Sequence, residues 1–227
     1  MCLILVAWRT NSDFRLIVAA NRDEFHARSA AAATFWKDQP QILAGRDLEA
    51  MGTWMGVTRN GRFAAVTNYS GGREPRAVES RGALVTRFLA NGAAPEHYVA
   101  AVAHRGADYS GFNLLATDGD DLWWYSNRDS APRRLKPGIY GLGNFLLDSP
   151  DVSESKSRFA REIEFPPAIE PLFGVLAPAR IVAPEYGTRC ATVLIHGSDG
   201  RLQFAERAFD ADGGEGETVR YEFGVSA

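Results

Sequence analysis

The segment MCLILVAWRTNSDFRLIVAANRDE, residues 1–24, contains two apolar runs joined by a short polar connection. The runs Cys2–Trp8 and Phe14–Ala20 are rich in aliphatic and aromatic residues, which favour β-strands. Between them, Arg9–Asp13 has the polar composition of a turn. The segment therefore predicts an antiparallel β-hairpin at the start of the chain.

The register of this hairpin brings polar residues towards the first residues of the chain. A turn centred near Asn11 places Cys2 opposite Ala20, so that Asn21-Arg22-Asp23-Glu24 leaves the sheet beside Cys2. An aspartate at that position can accept hydrogen bonds from an α-ammonium group, and an arginine can favour a thiolate. The alternative is that this tetrapeptide forms a solvated turn with no chemical role.

Cys2 is the candidate nucleophile. A small residue after the initiator normally permits removal of Met1, which would leave Cys2 with a free thiol and a free α-amine on one carbon. With ordinary pKa values of about 8.5 for the thiol and about 7.7–8.0 for the amine, the two groups form a nucleophile and base pair near neutral pH. Alternatively, Cys2 is a small buried hydrophobic residue.

The rest of the chain contains further hairpins with helices between them. Strand-like runs flank short turns at Thr53–Thr58 with Arg62–Thr67, Phe112–Thr117 with Leu122–Ser126, and Cys190–His196 with Leu202–Phe209. Helical patterns cover Arg81–Asn91 with a Ser80 cap, Pro95–His104 and Ser155–Glu164, and a last strand covers Thr218–Phe223 after a surface turn at 210–217. Strand pairs around a helical pair predict an α+β fold of two antiparallel sheets with helices outside, rather than alternating βαβ units.

Bulk properties indicate an ordinary globular protein. A chain of 227 residues can bury one sizeable core, and we expect a single domain over 1–227. A net charge of −3 without a basic, aromatic-rich cluster argues against nucleic-acid binding. No apolar run approaches the ~20 residues that span a bilayer, so no stable membrane insertion is expected. The two cysteines lack metal-ligand spacing and fit a reducing, cytoplasmic location.

Three further polar residues lie at strand ends or turns. A second hairpin centred on Asn60 places Gly52 opposite Asn68, whose side-chain amide could act as an oxyanion donor. Asparagine before Tyr69-Ser70-Gly71-Gly72 is equally good turn chemistry. Asn144, at a turn, and Arg189, at a strand start, carry weaker signals of the same kind.

Several short segments together resemble the NRDE family, whose eukaryotic members are called transport and Golgi organization protein 2. The segments are MCLI at 1–4, ANRDE at 20–24, AGRD at 44–47, GTW at 52–54, AVTNY at 65–69, SRG at 80–82, GLGN at 141–144 and GTR at 187–189. They occur in the order typical of that family and run through most of the chain. Met51 stands where a glycine is expected, and Ser70 stands where the family often has a charged residue.

The family in turn resembles the cysteine branch of the N-terminal-nucleophile hydrolases, which implies an αββα sandwich. The resemblance implies that Cys2 is the nucleophile and that Asp23, in Asn21-Arg22-Asp23, is the partner of its α-amine. By the same resemblance, Asn68 and Asn144 are candidate oxyanion donors.

The remaining assignments complete this expected site. Arg189 corresponds to a late arginine that tunes the nucleophile. Arg22 and Tyr69 are candidate substrate-binding residues. No metal and no cofactor are expected.

Two functions from different classes follow as expectations. One is an amidohydrolase or acyltransferase acting on a small-molecule amide or thioester through an acyl-Cys2 intermediate. The other is a non-catalytic protein that binds or carries haem or an acyl-lipid such as acyl-coenzyme A, because eukaryotic relatives are associated with haem trafficking and lipid metabolism. Possible haem ligands by residue type are Cys2, His26, His97, His104 and His196.

Overall fold

The computed structural model describes residues 2–71 and 78–225, and the predictions that concern Met1 and Gly72 lie outside them. In chain order, the strands and helices are β1 Leu3–Trp8, β2 Phe14–Phe25, β3 Ala30–Phe35, β4 Ile42–Asp47, β5 Met55–Thr58, β6 Phe63–Asn68, α1 Gly82–Ala90, α2 Pro95–His104, β7 Phe112–Thr117, β8 Leu122–Ser126, β9 Arg133–Leu135, β10 Gly138–Leu142, α3 Ser153–Glu162, α4 Ile169–Leu176, β11 Tyr186–Gly197, β12 Arg201–Phe209 and β13 Glu215–Gly224. Among the residues described, no helix is long and apolar enough to cross a membrane.

The chain forms two compact units. The first unit contains residues 2–28, 137–143 and 147–225, and the second contains 29–71, 78–136 and 144–146. Each unit is built around one antiparallel sheet with two helices packed against it. The prediction of an α+β protein with two antiparallel sheets is confirmed. The prediction of a single domain over 1–227 stays a prediction.

The sheet of the first unit has the strand order β10-β1-β2-β11-β12-β13. Alternate residues of its strands, among them Leu5, Ile17 and Val193, pack in one core cluster with Phe159 of α3 and Leu172 of α4. The period of two along each strand places this whole apolar set on the helix side of the sheet. The longest pairing in the unit joins β2 to β11, which therefore fixes the polar end of β2.

The sheet of the second unit has the order β3-β4-β5-β6-β7-β8-β9. Its core cluster joins α1, through residues such as Leu84 and Phe88, to strand residues such as Ile42, Ala64 and Leu114. The third and fourth strands of this sheet, β5 and β6, meet in the register predicted from Asn60-Gly61, since Met55 pairs with Ala65.

Two predictions about the first hairpin are wrong. Ala20 pairs with Ile4 instead of Cys2, so the register differs by two residues from the one expected. In addition, residues 21–24 do not leave the sheet, because β2 continues to Phe25 and pairs with β11, with Asp23 opposite Thr188. The polar tetrapeptide is therefore a strand segment, and the partner strand supplies the polar groups that it needs.

Several element boundaries also differ from the predictions. The helix expected at Ser155–Glu164 begins and ends two residues earlier, and the last strand begins at Glu215 rather than Thr218. Ser80 does not cap α1 with its side chain, and the helix instead begins after Arg81. Four strands and one helix had no prediction: β3, β4, β9, β10 and α4.

Candidate functional site

Cys2 lies directly before the first residue of β1, beside the polar end of β2. Its Sγ is 3.4 Å from the backbone nitrogen of Asp23, which donates to it, and 3.5 Å from the backbone oxygen of Asp23, which accepts from the thiol. Leu3 pairs with Asn21, and continuing this register by one residue places Cys2 level with Arg22. The sheet therefore positions the thiol against the backbone of Asp23.

The Asp23 carboxylate is held by a partner on β11. The Thr188 hydroxyl donates to Asp23 Oδ1 over 2.6 Å, and the same hydroxyl accepts the backbone N–H of Ile181 over 2.9 Å. The Tyr186 hydroxyl donates to the backbone oxygen of Asp23 over 3.2 Å. Asp23 and Thr188 are both buried, at 4% and 2% exposure. Side chain and backbone of Asp23 are thus both fixed next to Cys2.

The environment of Cys2 keeps its thiol protonated. Burial raises the pKa of the Cys2 thiol, and the nearby negative charge of Asp23 raises it further. The Asp23 backbone N–H and the charge of Arg22 act in the opposite direction but are outweighed. The charge of Arg22 therefore lowers the pKa of the Cys2 thiol, but less than burial and Asp23 raise it.

Arg22 is a buried cation within the sheet. It is 6% exposed and pairs with Cys190 on the neighbouring strand β11. Its Nη2 lies 3.7 Å from Glu24 Oε2, and Glu24 is only partly exposed. The solvated-turn alternative for the tetrapeptide is wrong, because its first three residues are buried.

Arg189 lies in a β-bulge, where the pairing of β2 with β11 shifts between Thr188 and Cys190. Its Nη1 donates to the backbone oxygens of Phe25, His26 and Arg28 over 2.9–3.3 Å. These contacts clamp the chain as it leaves β2. The electrostatic role predicted for Arg189 stays a prediction, and the contacts show a structural one.

Asn68, Tyr69 and Asn144 lie together in the second unit. Asn144 Nδ2 donates to the backbone oxygen of Asn68 over 2.8 Å, and the backbone oxygen of Asn144 accepts the N–H of Ser70. Asn68 itself is exposed at the end of β6. Tyr69 meets Phe145 edge to face, with ring centroids 6.2 Å apart. Asn144 therefore uses one amide N–H to hold the chain at Asn68, and the Asn68 side chain is accessible.

The predicted site residues thus form two groups. Cys2, Arg22, Asp23 and Arg189 belong to the first unit, whereas Asn68, Tyr69 and Asn144 belong to the second.

Sequence reasoning missed Thr188 and Tyr186, although Gly187-Thr188-Arg189 had been singled out. The signal that could have found Thr188 is its neighbour Gly187. A Cβ there would lie 2.9 Å from the backbone oxygen of Ile181, so only glycine allows this approach.

Met51 explains one departure from the family pattern. Its backbone has φ of 58°, in the left-handed region that favours glycine, and its side chain is 53% exposed. The backbone conformation at this position therefore favours the glycine that the family pattern has there. Met51 adopts the same conformation with its side chain directed to solvent.

The four histidines lie at three places in the fold. His97 and His104 are exposed on α2, His196 is buried at 4% exposure, and the His26 ring lies 3.0 Å from the backbone oxygen of Ala183. Across the described residues, no three His, Cys, Asp or Glu side chains are grouped closely enough to hold a metal ion.

Comparison with known proteins gives a family and a fold. The family model described as Transport and Golgi organisation 2 matches residues 1–177. Transport and Golgi organization protein 2 homologs from Bos taurus and Homo sapiens are 35% and 34% identical to the chain, in alignments that cover 98% of this chain and 99% of each relative.

Two solved structures share the fold at low sequence identity. An N-acylethanolamine-hydrolyzing acid amidase ortholog from Caenorhabditis elegans gives a TM-score of 0.54 at 11% identity, covering 86% of this chain and 92% of that one. The C2A mutant of the conjugated bile acid hydrolase from Clostridium perfringens gives a TM-score of 0.52 at 10% identity. That alignment covers 100% of this chain and 98% of the hydrolase chain. These likenesses confirm the predicted N-terminal-nucleophile hydrolase fold.

Proposed function

The chain belongs to the Transport and Golgi organisation 2 family, and from that membership and the geometry around Cys2 we propose that it is an N-terminal cysteine amidohydrolase or acyltransferase. The observation that carries the proposal is the contact of the Cys2 thiol with Asp23, whose carboxylate is fixed by Thr188. A buried, oriented carboxylate beside the start of β1 can hold an N-terminal amine, and such an amine is one of the bases that activate N-terminal nucleophiles. Two hydrolases of this fold support it.

The proposed reaction begins with removal of Met1, which exposes the α-amine of Cys2. Asp23 accepts hydrogen bonds from the α-ammonium group and orients it, and the ammonium group loses one proton to solvent to give the neutral amine. The neutral amine then takes the proton from Sγ, directly or through water, as Sγ attacks the carbonyl carbon of an amide or thioester. This order fits a thiol whose pKa is raised, since the proton is removed only during attack.

The tetrahedral intermediate carries an oxyanion that needs hydrogen-bond donors. In the proposal the exposed amide of Asn68 donates to it, and Asn144 positions the backbone of Asn68. One such donor is typically worth about 2.7–4 kcal/mol of transition-state stabilisation. Collapse returns the proton to the leaving amine or thiol and leaves an acyl-Cys2 thioester, which water or an acceptor amine then attacks. Arg22 and Tyr69 are the proposed substrate-binding residues.

The test is intact-mass analysis of the purified protein before and after incubation with an acyl-thioester probe. The expected result is loss of one methionine and a single acyl adduct that peptide mapping places on Cys2. Cys2→Ala should lose the adduct, whereas the matched variant Cys190→Ala should keep it. Retention of Met1 with an unreactive Cys2 would contradict the proposal and would favour the haem- or acyl-lipid-binding function, tested by titration with haem and acyl-coenzyme A.

A further inference from the structure

A row of buried polar residues crosses the first unit's sheet beside Cys2, and the proposed reaction does not use most of it. Arg22 on β2 pairs directly with Cys190 on β11, and Thr192 on β11 pairs with Glu206 on β12. Directly paired residues of an antiparallel sheet point to the same face, as do residues two apart on one strand. Arg22, Cys190, Thr192 and Glu206 therefore share one face of the sheet.

Side-chain contacts join this row. Glu206 Oε2 accepts from the Thr192 hydroxyl over 3.3 Å and lies 3.6 Å from the Cys190 thiol, which donates to it. The residue directly opposite Cys190 is Ala208, which is too small to fill that position. The Glu206 side chain therefore reaches diagonally across the sheet towards Cys190, on the side where Arg22 lies.

The positive and negative charges in this row must compensate each other, because the residues that carry them are buried. Glu206 is 4% exposed and Arg22 is 6% exposed. An isolated charge at such burial is costly unless an opposite charge compensates it. Within the described part of this unit, Arg22 is the one buried arginine or lysine. Its guanidinium lies 3.7 Å from Glu24, and Glu206, which contacts Cys190, lies on the same face of the sheet.

We propose that Glu206 is a positioning residue for Cys2, which acts by holding and offsetting the positive charge of Arg22. With the charge offset, Arg22 stabilises the Cys2 thiolate only weakly, and the thiol keeps its proton until substrate binds. The inference deepens the proposed function, since it names a residue that sets the reactivity of the same nucleophile.

Other charged groups near Cys2 also influence the pKa of its thiol. Among the described residues, the titratable and charged groups that act on Cys2 or on the row are Arg22, Asp23, Glu24, Tyr186, Cys190 and Glu206, and the N-terminal amine also acts on Cys2. The β13 residue paired with Glu206 is Val219, which carries no charge. Neutralising Glu206 therefore changes one charge in a known set.

The test measures the rate of Cys2 alkylation by iodoacetamide as a function of pH, with peptide mapping to separate Cys2 from Cys190. Glu206→Gln keeps the size of the side chain and removes its charge, so Arg22 acts on Cys2 with Glu24 as its remaining counter-charge. We expect alkylation at about pH 6.5 to rise on the order of 3- to 10-fold, with the pH profile displaced to lower pH. Thr192→Val, which removes a hydrogen bond but no charge, should leave the profile in place.

The Arg22→Gln background shows whether the effect passes through Arg22. There, the further change Glu206→Gln should alter the alkylation rate by less than about 2-fold. An unchanged profile for Glu206→Gln alone, or an equal rise without Arg22, would overturn the inference. If Glu206→Gln does not fold, the comparison of Arg22→Gln with the double variant decides, because a rate difference between them contradicts the inference.

This experiment is independent of turnover. Failure to acylate Cys2 would contradict the proposed function, whereas the alkylation profiles would still report on Glu206.

Discussion

At the scale of single residues, Asp23 has two effects on Cys2 that oppose each other. Its negative charge raises the pKa of the thiol, which lowers reactivity towards a simple alkylating agent. In the proposed reaction the same charge anchors the α-amine that serves as the base. A substitution at Asp23 should therefore separate simple thiol reactivity from catalysis.

Asp23→Asn is expected to increase alkylation of Cys2 by iodoacetamide at neutral pH by about 3- to 10-fold, because removal of a nearby negative charge lowers the thiol pKa. Acylation of Cys2 by a thioester probe should decrease, since the amine is no longer held. Both rates are measured by mass spectrometry. Asp13→Asn, at the far end of the same hairpin, is the control, and parallel changes in the two rates would contradict this explanation.

The identities of the candidate residues could be read from the sequence, but their contacts could not. Cys2 and Asp23 stand out by position and by family resemblance. Thr188 could not be assigned, because its partner Asp23 lies 165 residues away and the pairing of β2 with β11 has no local signal. The polar tetrapeptide at 21–24 looked like a turn for the same reason, since burial of its charges depends on a distant strand.

At the scale of elements, the β-bulge at Arg189 fixes the end of β2. One guanidinium nitrogen contacts three backbone oxygens in the turn that follows Asp23 and Glu24. Hydrogen bonds from a charged donor contribute about 1.5–3 kcal/mol. The bulge therefore links the order of the turn at 25–28 to the position of Asp23.

Arg189→Met keeps the length of the side chain and removes these donors. We expect faster amide hydrogen exchange in a peptide that covers residues 24–30 and a loss of about 1–3 kcal/mol in the free energy of unfolding. Arg201→Met, which removes an exposed ion pair with Glu222, is the matched control and should leave stability almost unchanged. Equal exchange rates in the Arg189 variant and the parent would exclude the clamp.

Prediction of elements succeeded where the signals were local. Phe112–Thr117 and Leu122–Ser126 match β7 and β8, and Pro95–His104 matches α2, because turn residues or a first-turn proline mark their ends. The strand β3 was missed because AAAATF is rich in alanine, which has low strand propensity. Its place in the sheet depends on pairing with β4 rather than on its own composition.

At the scale of the whole molecule, His196 links stability to pH. It is buried in β11, and burial, with a smaller effect of Arg15, lowers its pKa to about 4, while Asp199 acts in the opposite direction. The unfolded chain has a histidine pKa of about 6.5, so it binds the proton first as pH falls. The contribution of neutral His196 is fully present above about pH 6.5 and is lost as pH falls towards about 4.

His196→Gln should therefore reduce the loss of unfolding free energy between about pH 7 and pH 4, by on the order of 3 kcal/mol. The measurement is urea unfolding of the parent and the variant across that range. His97→Gln, at an exposed position on α2, should follow the parent at every pH. If the parent and the His196 variant have parallel pH dependences, His196 does not titrate as described.

The pairing of Thr188 with Asp23 also has a consequence for biosynthesis. The ribosome makes Cys2 and Asp23 at the start of the chain, but Thr188 emerges only 165 residues after Asp23. Until then, the nascent chain carries the Cys2 thiol and the Asp23 carboxylate, but not the Thr188 hydroxyl that fixes this carboxylate. A prematurely terminated product that lacks β11 therefore also lacks the Thr188 contact, and we expect it to form no acyl adduct at Cys2 even though its thiol reacts with simple alkylating agents.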